Sequence, residues 1–172
     1  MKELLDKLTS YNIFNYLLPG VLFAGIGSYY AQYPLIIDNI VISVFVYYFY
    51  GLVISRIGSL IIEPFLKKLQ FVRFAPYPQF VAASKVDEKI EVLSETNNMY
   101  RSLISMLICL LLAMTYSHLE NTYAWFSGYT QSVVIVLLLL LFAFSYKKQS
   151  EYITNRVSGT SKKNAPDRMS KE

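Results

Sequence analysis

The residue types that could do chemistry in this chain are few, and most lie inside apolar sequence. Arg56 and Glu63 sit seven residues apart in or beside one long apolar run. On a helix they share a face two turns apart, too far for a direct pair, so a neighbouring copy or a phosphate would have to complete the charge. A charge within a membrane segment is a functional candidate by default, although a long Arg roughly 9 Å from a helix end can also snorkel to the interface. Tyr47, Tyr48 and Tyr50 bring three hydroxyls into the middle of the same run. Each needs either a bonding partner within a helix bundle or water along a hydrated path. There is one Cys, Cys109, among Leu and Ile, and one His, His118, beside Glu120. A lone Cys there acts as a small hydrophobe. A lone His can sense pH, but beside a carboxylate it is more often an ordinary solvated residue. No cluster has the spacing of a zinc site, and no phosphate-cradling glycine loop or nucleophile elbow is present. The expectation is of a protein that is not an enzyme and uses no metal or cofactor.

These residues are held in four apolar stretches, 13–31, 40–62, 99–117 and 130–146, each near the roughly 17–25 residues a bilayer requires. Hydrophobic residues make up 54% of the 172, and the mean hydropathy is +0.36, too apolar in blocks this long for a soluble domain. The connections 32–38 (QYPLIID) and 117–131 (SHLENTYAWFSGYTQ) lack Lys and Arg. Basic residues gather instead in the N-terminal segment, the middle loop and the tail. Loops rich in Lys and Arg stay cytoplasmic. The expectation is therefore an all-α, multi-pass membrane protein with four transmembrane helices, both ends inside, and a small cytoplasmic helical hairpin over 63–98. Glu3 and Asp6 at the N-terminus, with no clean small-x-small site, argue against a cleaved signal.

Within this frame the chain divides further. Residues 1–12 read as an amphipathic interfacial helix, with Leu4, Leu5 and Leu8 on one face. Asn12 and Asn15 follow at the mouth of the first span. Pro19–Gly20 should kink or divide that span. Gly20, Ala24 and Ser28 form a small-residue stripe, repeated by Gly51, Ser55 and Ser59 in the second span. Small residues let helices approach closely in lipid, within one chain or between copies. Tyr29 and Tyr30 fit an interfacial aromatic belt.

In the middle loop, FLKKLQFVRF reads as a continuation of the second span, and APYPQF as a break. Ser84 with Asp87 resembles a capping box before a helical run, KVDEKIEVLSE. There Val86, Ile90 and Leu93 make an apolar stripe, and Asp87, Glu88, Glu91 and Glu95 an acidic side. Asn97–Asn98 marks a break before the third span. So short a loop cannot bury its own core. The two faces offer a docking surface for a cytosolic partner. The tail, 147–172, is basic and fits against anionic membrane lipid rather than nucleic acid, because acids interleave its bases. KKQSEYITNRV extends the fourth span, and GTSKKNAPDRMSKE reads as disordered.

The opening of the first span, LTSYNIFNYLLPGVLF, together with the four-span layout and the inside loop, resembles the KwaA family, the membrane component of Kiwa anti-phage defence systems in bacteria. The resemblance implies an inner-membrane sensor. It would assemble as a homo-oligomer, a tetramer, and recruit a cytosolic, DNA-binding, KwaB-like effector. None of the sixteen residues of that opening has a chemical role to transfer. Beside this stand an oligomeric pore that depolarises the cell, favoured by the tyrosines, Arg56 and the small-residue stripes, and a small multidrug transporter. The last is disfavoured because spans one, three and four hold no Asp or Glu for proton coupling.

Overall fold

The structure is a computed structural model that describes residues 12–123 and 128–164, with side chains described as far as 157. The expected interfacial helix, apart from Asn12, and residues 165–172 lie outside the described residues. Among the described residues every regular element is helical, and three helices are long and apolar enough to cross a membrane: Ile40–Lys68, Lys89–Thr122 and Thr130–Val157. We number five helices in chain order. Helix α1 covers 12–30, α2 is Ile40–Lys68, α3 is Tyr77–Ser84, α4 is Lys89–Thr122 and α5 is Thr130–Asn164.

Two prolines shape α1 and α2 in the same way. Each helix contains one π turn, Ile13–Leu17 and Gly58–Ile62, and each π turn ends two residues before a proline, Pro19 and Pro64. A proline within a helix has no N–H to give, and its ring clashes with the carbonyl four residues back. Widening one turn relieves the clash. The amides of Leu18 and Glu63 accordingly donate five residues back, to Ile13 O and Gly58 O. Pro19 thus divides the first apolar stretch into a π turn and an α-helix.

Helix starts and stops follow local chemistry. Asn39 caps α2, its side-chain oxygen accepting from the amides of Val41 (3.0 Å) and Ile42 (3.2 Å). Helix α2 stops at Lys68, short of the expected continuation through QFVRF. Gln70 takes φ 58, and the amides of Gln70 and Phe71 return to Lys67 O and Leu66 O, both at 3.0 Å. This is the paired bonding that closes a helix with a left-handed residue, here without a glycine. Gln32, with φ 59, follows α1 in the same conformation.

Four further expectations for the middle loop and tail are corrected. Pro76 and Pro78 start α3 rather than ending a helix, since a proline in the first turn sacrifices no bond. Ser84 closes α3, its hydroxyl donating to Val81 O, while Asp87 takes over the capping role by accepting from Lys89 N at 3.0 Å. Asn97–Asn98 causes no break. Helix α4 runs through both, because an Asn in a helix interior costs only a few tenths of a kcal/mol against average residues. At the other end, α5 stays helical to Asn164, past the point where disorder was expected.

Helices α1, α2 and α4 form the packed centre. Ile54, Met106 and Leu110 are its buried core, with Phe23, Ile26, Leu103 and Cys109 against them. The crossing of α1 and α2 is set by Gly20 and Gly51. A Cβ on Gly20 would overlap Tyr47 O, and one on Gly51 would overlap Tyr16 O. Ala24 and Ser55 are buried along the same two helices, so both small-residue stripes contribute to packing within the chain. Helix α4 approaches α2 at Gly58, against Arg101 and Ser105, with the Ser105 hydroxyl donating to Ile54 O at 2.7 Å. Helix α5 leans on the outside, with Phe142 stacked on Phe49 at 6.1 Å.

Candidate functional site

Charge is concentrated where α2 widens. The π turn sends the Glu63 amide to Gly58 O, so Ser59 O loses its ordinary donor, and the next residue in line is Pro64, which has none. The Lys148 ammonium of α5 fills that vacancy, donating to Ser59 O at 2.6 Å and to Ser59 Oγ at 2.8 Å. Ser59, expected as a packing residue, therefore serves as an anchor for α5. One residue before Pro64, the Glu63 carboxylate is buried. It accepts from Lys67 Nζ at 2.7 Å on one oxygen and from Arg101 Nη1 of α4 at 2.5 Å on the other. Three helices are thus joined by charge at this end.

Arg101 of the same chain pairs with Glu63. Arg56 lies within electrostatic reach of Lys148, as do Lys67, Arg101 and Glu63. The Arg101 Nε is buried and makes no hydrogen bond. Sequence reasoning misses Arg101 and Lys148. Both stand near the ends of apolar stretches, as snorkelling residues do, and only the tertiary pairing distinguishes them.

The mid-helix tyrosines are engaged by neighbours. The Tyr47 oxygen accepts from Ile37 N at 3.2 Å, which ties the 31–39 loop to α2. Side chains lean toward a helix's N-terminus, so Tyr47 reaches back to the loop that precedes its own helix. Tyr48 meets Tyr16 edge-to-face at 5.5 Å, and Tyr50 meets Phe23 at 6.0 Å. Ser28 is likewise drawn to that loop, accepting from Leu35 N at 3.1 Å.

At the opposite end a second carboxylate gathers three elements. Glu120 accepts from the Tyr33 hydroxyl at 2.6 Å and from the Thr130 hydroxyl. Tyr116 in turn donates to Thr130 Oγ1 at 2.8 Å, since the Thr130 proton is committed to Glu120. The hydrogen bond from Thr130, then that from Tyr33, holds the Glu120 carboxyl below its usual range. Burial, with the adjacent carboxylate, pushes the Tyr33 hydroxyl above its usual value.

A lowered carboxyl pKa stabilises the folded state above the unfolded value, roughly 4.3, and that contribution is lost as pH falls through the folded value below it. Thermal stability in detergent should therefore decline in that acidic window. Glu120→Gln should flatten the decline while leaving the neutral-pH fold intact. An unchanged slope in the variant would remove Glu120 from the latch.

The expected docking surface is only partly assembled. Val86 is 90% exposed in the turn before α4, off the helix, so Val86, Ile90 and Leu93 do not form one helical stripe. Ile90 is half-buried and Leu93 exposed. Asp87, Glu88, Glu91 and Glu95 are all exposed, the first two at the start of α4 and the others on its first turns. Phe71 and Leu69 are also exposed on this part of the chain, while Phe74 lies under the Lys67 ammonium at 4.3 Å.

No family model, no curated protein and no solved structure matches this chain.

Proposed function

We propose that the protein is a membrane sensor and scaffold that passes a change at the Glu120 end to a cytosolic partner held at the acidic start of α4. The observation that carries this reading is the continuity of α4. Its 34 residues span about 51 Å at 1.5 Å per residue, against a hydrocarbon core of about 30 Å. One unbroken helix therefore bears the Glu120 latch, the Arg101–Glu63 pair, and Glu91 and Glu95. A displacement of the latch has a rigid path to the exposed acids.

In this reading α1 also crosses the membrane. It is helical from 12 to 30, about 28 Å. That makes four spans in a bacterial inner membrane, with both ends and the 63–98 segment inside, as the distribution of Lys and Arg supports. The partner is a cytosolic effector with a basic surface, and the protein works as a homo-oligomer. The resemblance to the KwaA family agrees with an anti-phage role and a KwaB-like partner.

Reporter fusions at Asn121 should read periplasmic, and fusions at Ser84 and Ser161 cytoplasmic. Glu88→Lys with Glu91→Lys should leave insertion and assembly intact but abolish partner recruitment and protection, and partner binding by the wild type should weaken with salt, since exposed charges are screened beyond about 10 Å at 0.1 M salt. Protection that survives the reversal, or wild-type protein that collapses membrane potential with no partner present, would replace this reading with the pore.

A further inference from the structure

A cleft of about 300 Å³ lies beside the charged end of α2 and α5, lined by Ser59, Leu60, Pro64, Phe144, Lys147 and Lys148, with Glu151 also in its wall. We propose that this cleft binds the phosphate headgroup of an anionic phospholipid.

The charges favour an anion. Arg56, Lys67 and Arg101 lie within electrostatic reach of Lys148, and Lys147 lines the cleft beside it. Among the described residues, two carboxylates stand against these five cations, Glu63 and Glu151. Glu63 is committed to Lys67 and Arg101. Like charges this close repel more strongly where water is scarce, and an added anion relieves the repulsion. Lys148 gives two of its three ammonium protons to Ser59, which leaves a third for a ligand. Lys147 is exposed and available.

The lining also distinguishes a lipid from a free ion. Leu60, Pro64 and Phe144 are an apolar wall that a free phosphate would leave unused, and it suits the glycerol and first methylenes of a phospholipid. The cleft lies where both apolar runs give way to charge, at Ile62–Glu63 in α2 and Tyr146–Lys147 in α5. That is the depth of a headgroup if these helices span a bilayer, the one part of the proposed function on which this inference rests.

The test uses the purified full chain in detergent, titrated with phosphatidylglycerol or phosphatidylcholine and read by native mass spectrometry. The wild type should retain phosphatidylglycerol about tenfold more strongly than phosphatidylcholine. Each lysine removed should reduce the preference about fivefold, the effect of one charge near a membrane surface. Lys147→Gln is the primary variant, because Lys148→Gln also removes the donor to Ser59. Equal retention of the two lipids by the wild type, or an unchanged preference in Lys147→Gln, would overturn the site. Displacement of the lipid by millimolar inorganic phosphate would reassign the cleft to a free anion and overturn the lipid assignment. Release of the protein from membranes by alkaline wash would instead fail the membrane reading, a result separate from any loss of headgroup preference.

Discussion

Gly51→Leu should yield no monodisperse folded protein, and even Gly51→Ala should lower the unfolding temperature in detergent by several degrees. The reason is what a side chain would strike. A Cβ on Gly51 would overlap the carbonyl oxygen and carbon of Tyr16, which are backbone atoms inside a π turn. A flexible side chain could swing aside, but this backbone is fixed by Pro19 on one side and by the packing of Tyr16 on Tyr48 on the other. Helix α1 would have to lift away from α2. Overpacking of a tight contact typically costs about 1–3 kcal/mol and more where backbone must move. Gly20→Ala meets Tyr47 O in the same crossing and should behave alike. Gly25→Ala is the control, since nothing lies within 4 Å of its Cβ position. Size-exclusion chromatography with a temperature ramp reads all four variants. A folded Gly51→Leu protein that has lost only its oligomers would show that these glycines pack between copies and not within the chain.

That crossing also shows what a one-dimensional reading can reach. Small residues at intervals of four mark Gly20 and Gly51 as contact points, because in lipid close approach depends on missing side chains. The four apolar stretches and the proline in the first are equally visible, and the helices occupy them. The boundaries between helices are less visible. Gln32 and Gln70 adopt the left-handed conformation that normally identifies itself as Gly or Asn, so the ends of α1 and α2 carry no signal. Asn97–Asn98 carries a false one, since a pair of weak helix formers is overridden by the long helix on both sides. The charged cluster is hidden for a different reason. Arg101 and Lys148 look like ordinary bases at span ends, and Glu63 like an ordinary acid. The Lys148–Ser59 contact depends on a backbone bond displaced beside Pro64 in α2, three helices before α5, and the Arg101–Glu63 pair depends on how α4 packs across α2. The seven-residue spacing of Arg56 and Glu63 draws attention to the wrong partner, because spacing within a helix cannot report which neighbour packs across from it.

Glu63→Gln should destabilise the protein far more than Lys67→Gln. The Glu63 side chain is 11% exposed and its partner Arg101 19%, whereas Lys67 is 45% exposed. Removing one partner of a buried pair typically costs about 3–5 kcal/mol, because the other charge is left in a poor solvent. An exposed pair contributes about 0–1 kcal/mol, so Lys67→Gln should sit within that range. The penalty for Glu63→Gln is enlarged by its surroundings, since Arg101, Lys67, Lys148 and Arg56 would then share no buried counter-charge among the described residues. The double change Glu63→Leu with Arg101→Leu should recover most of the loss, as apolar replacement of a buried pair is often neutral. The recovery is the informative result. It would show that Glu63 neutralises Arg101 and is not needed in its own right. Unfolding in mixed micelles measures all four proteins. If Glu63→Gln is no worse than Lys67→Gln, or the double variant is no better than Glu63→Gln, the pair does not hold α4 to α2. The rigid path from the Glu120 latch to Glu91 and Glu95 would then lose the clamp that keeps α4 in register against its neighbour.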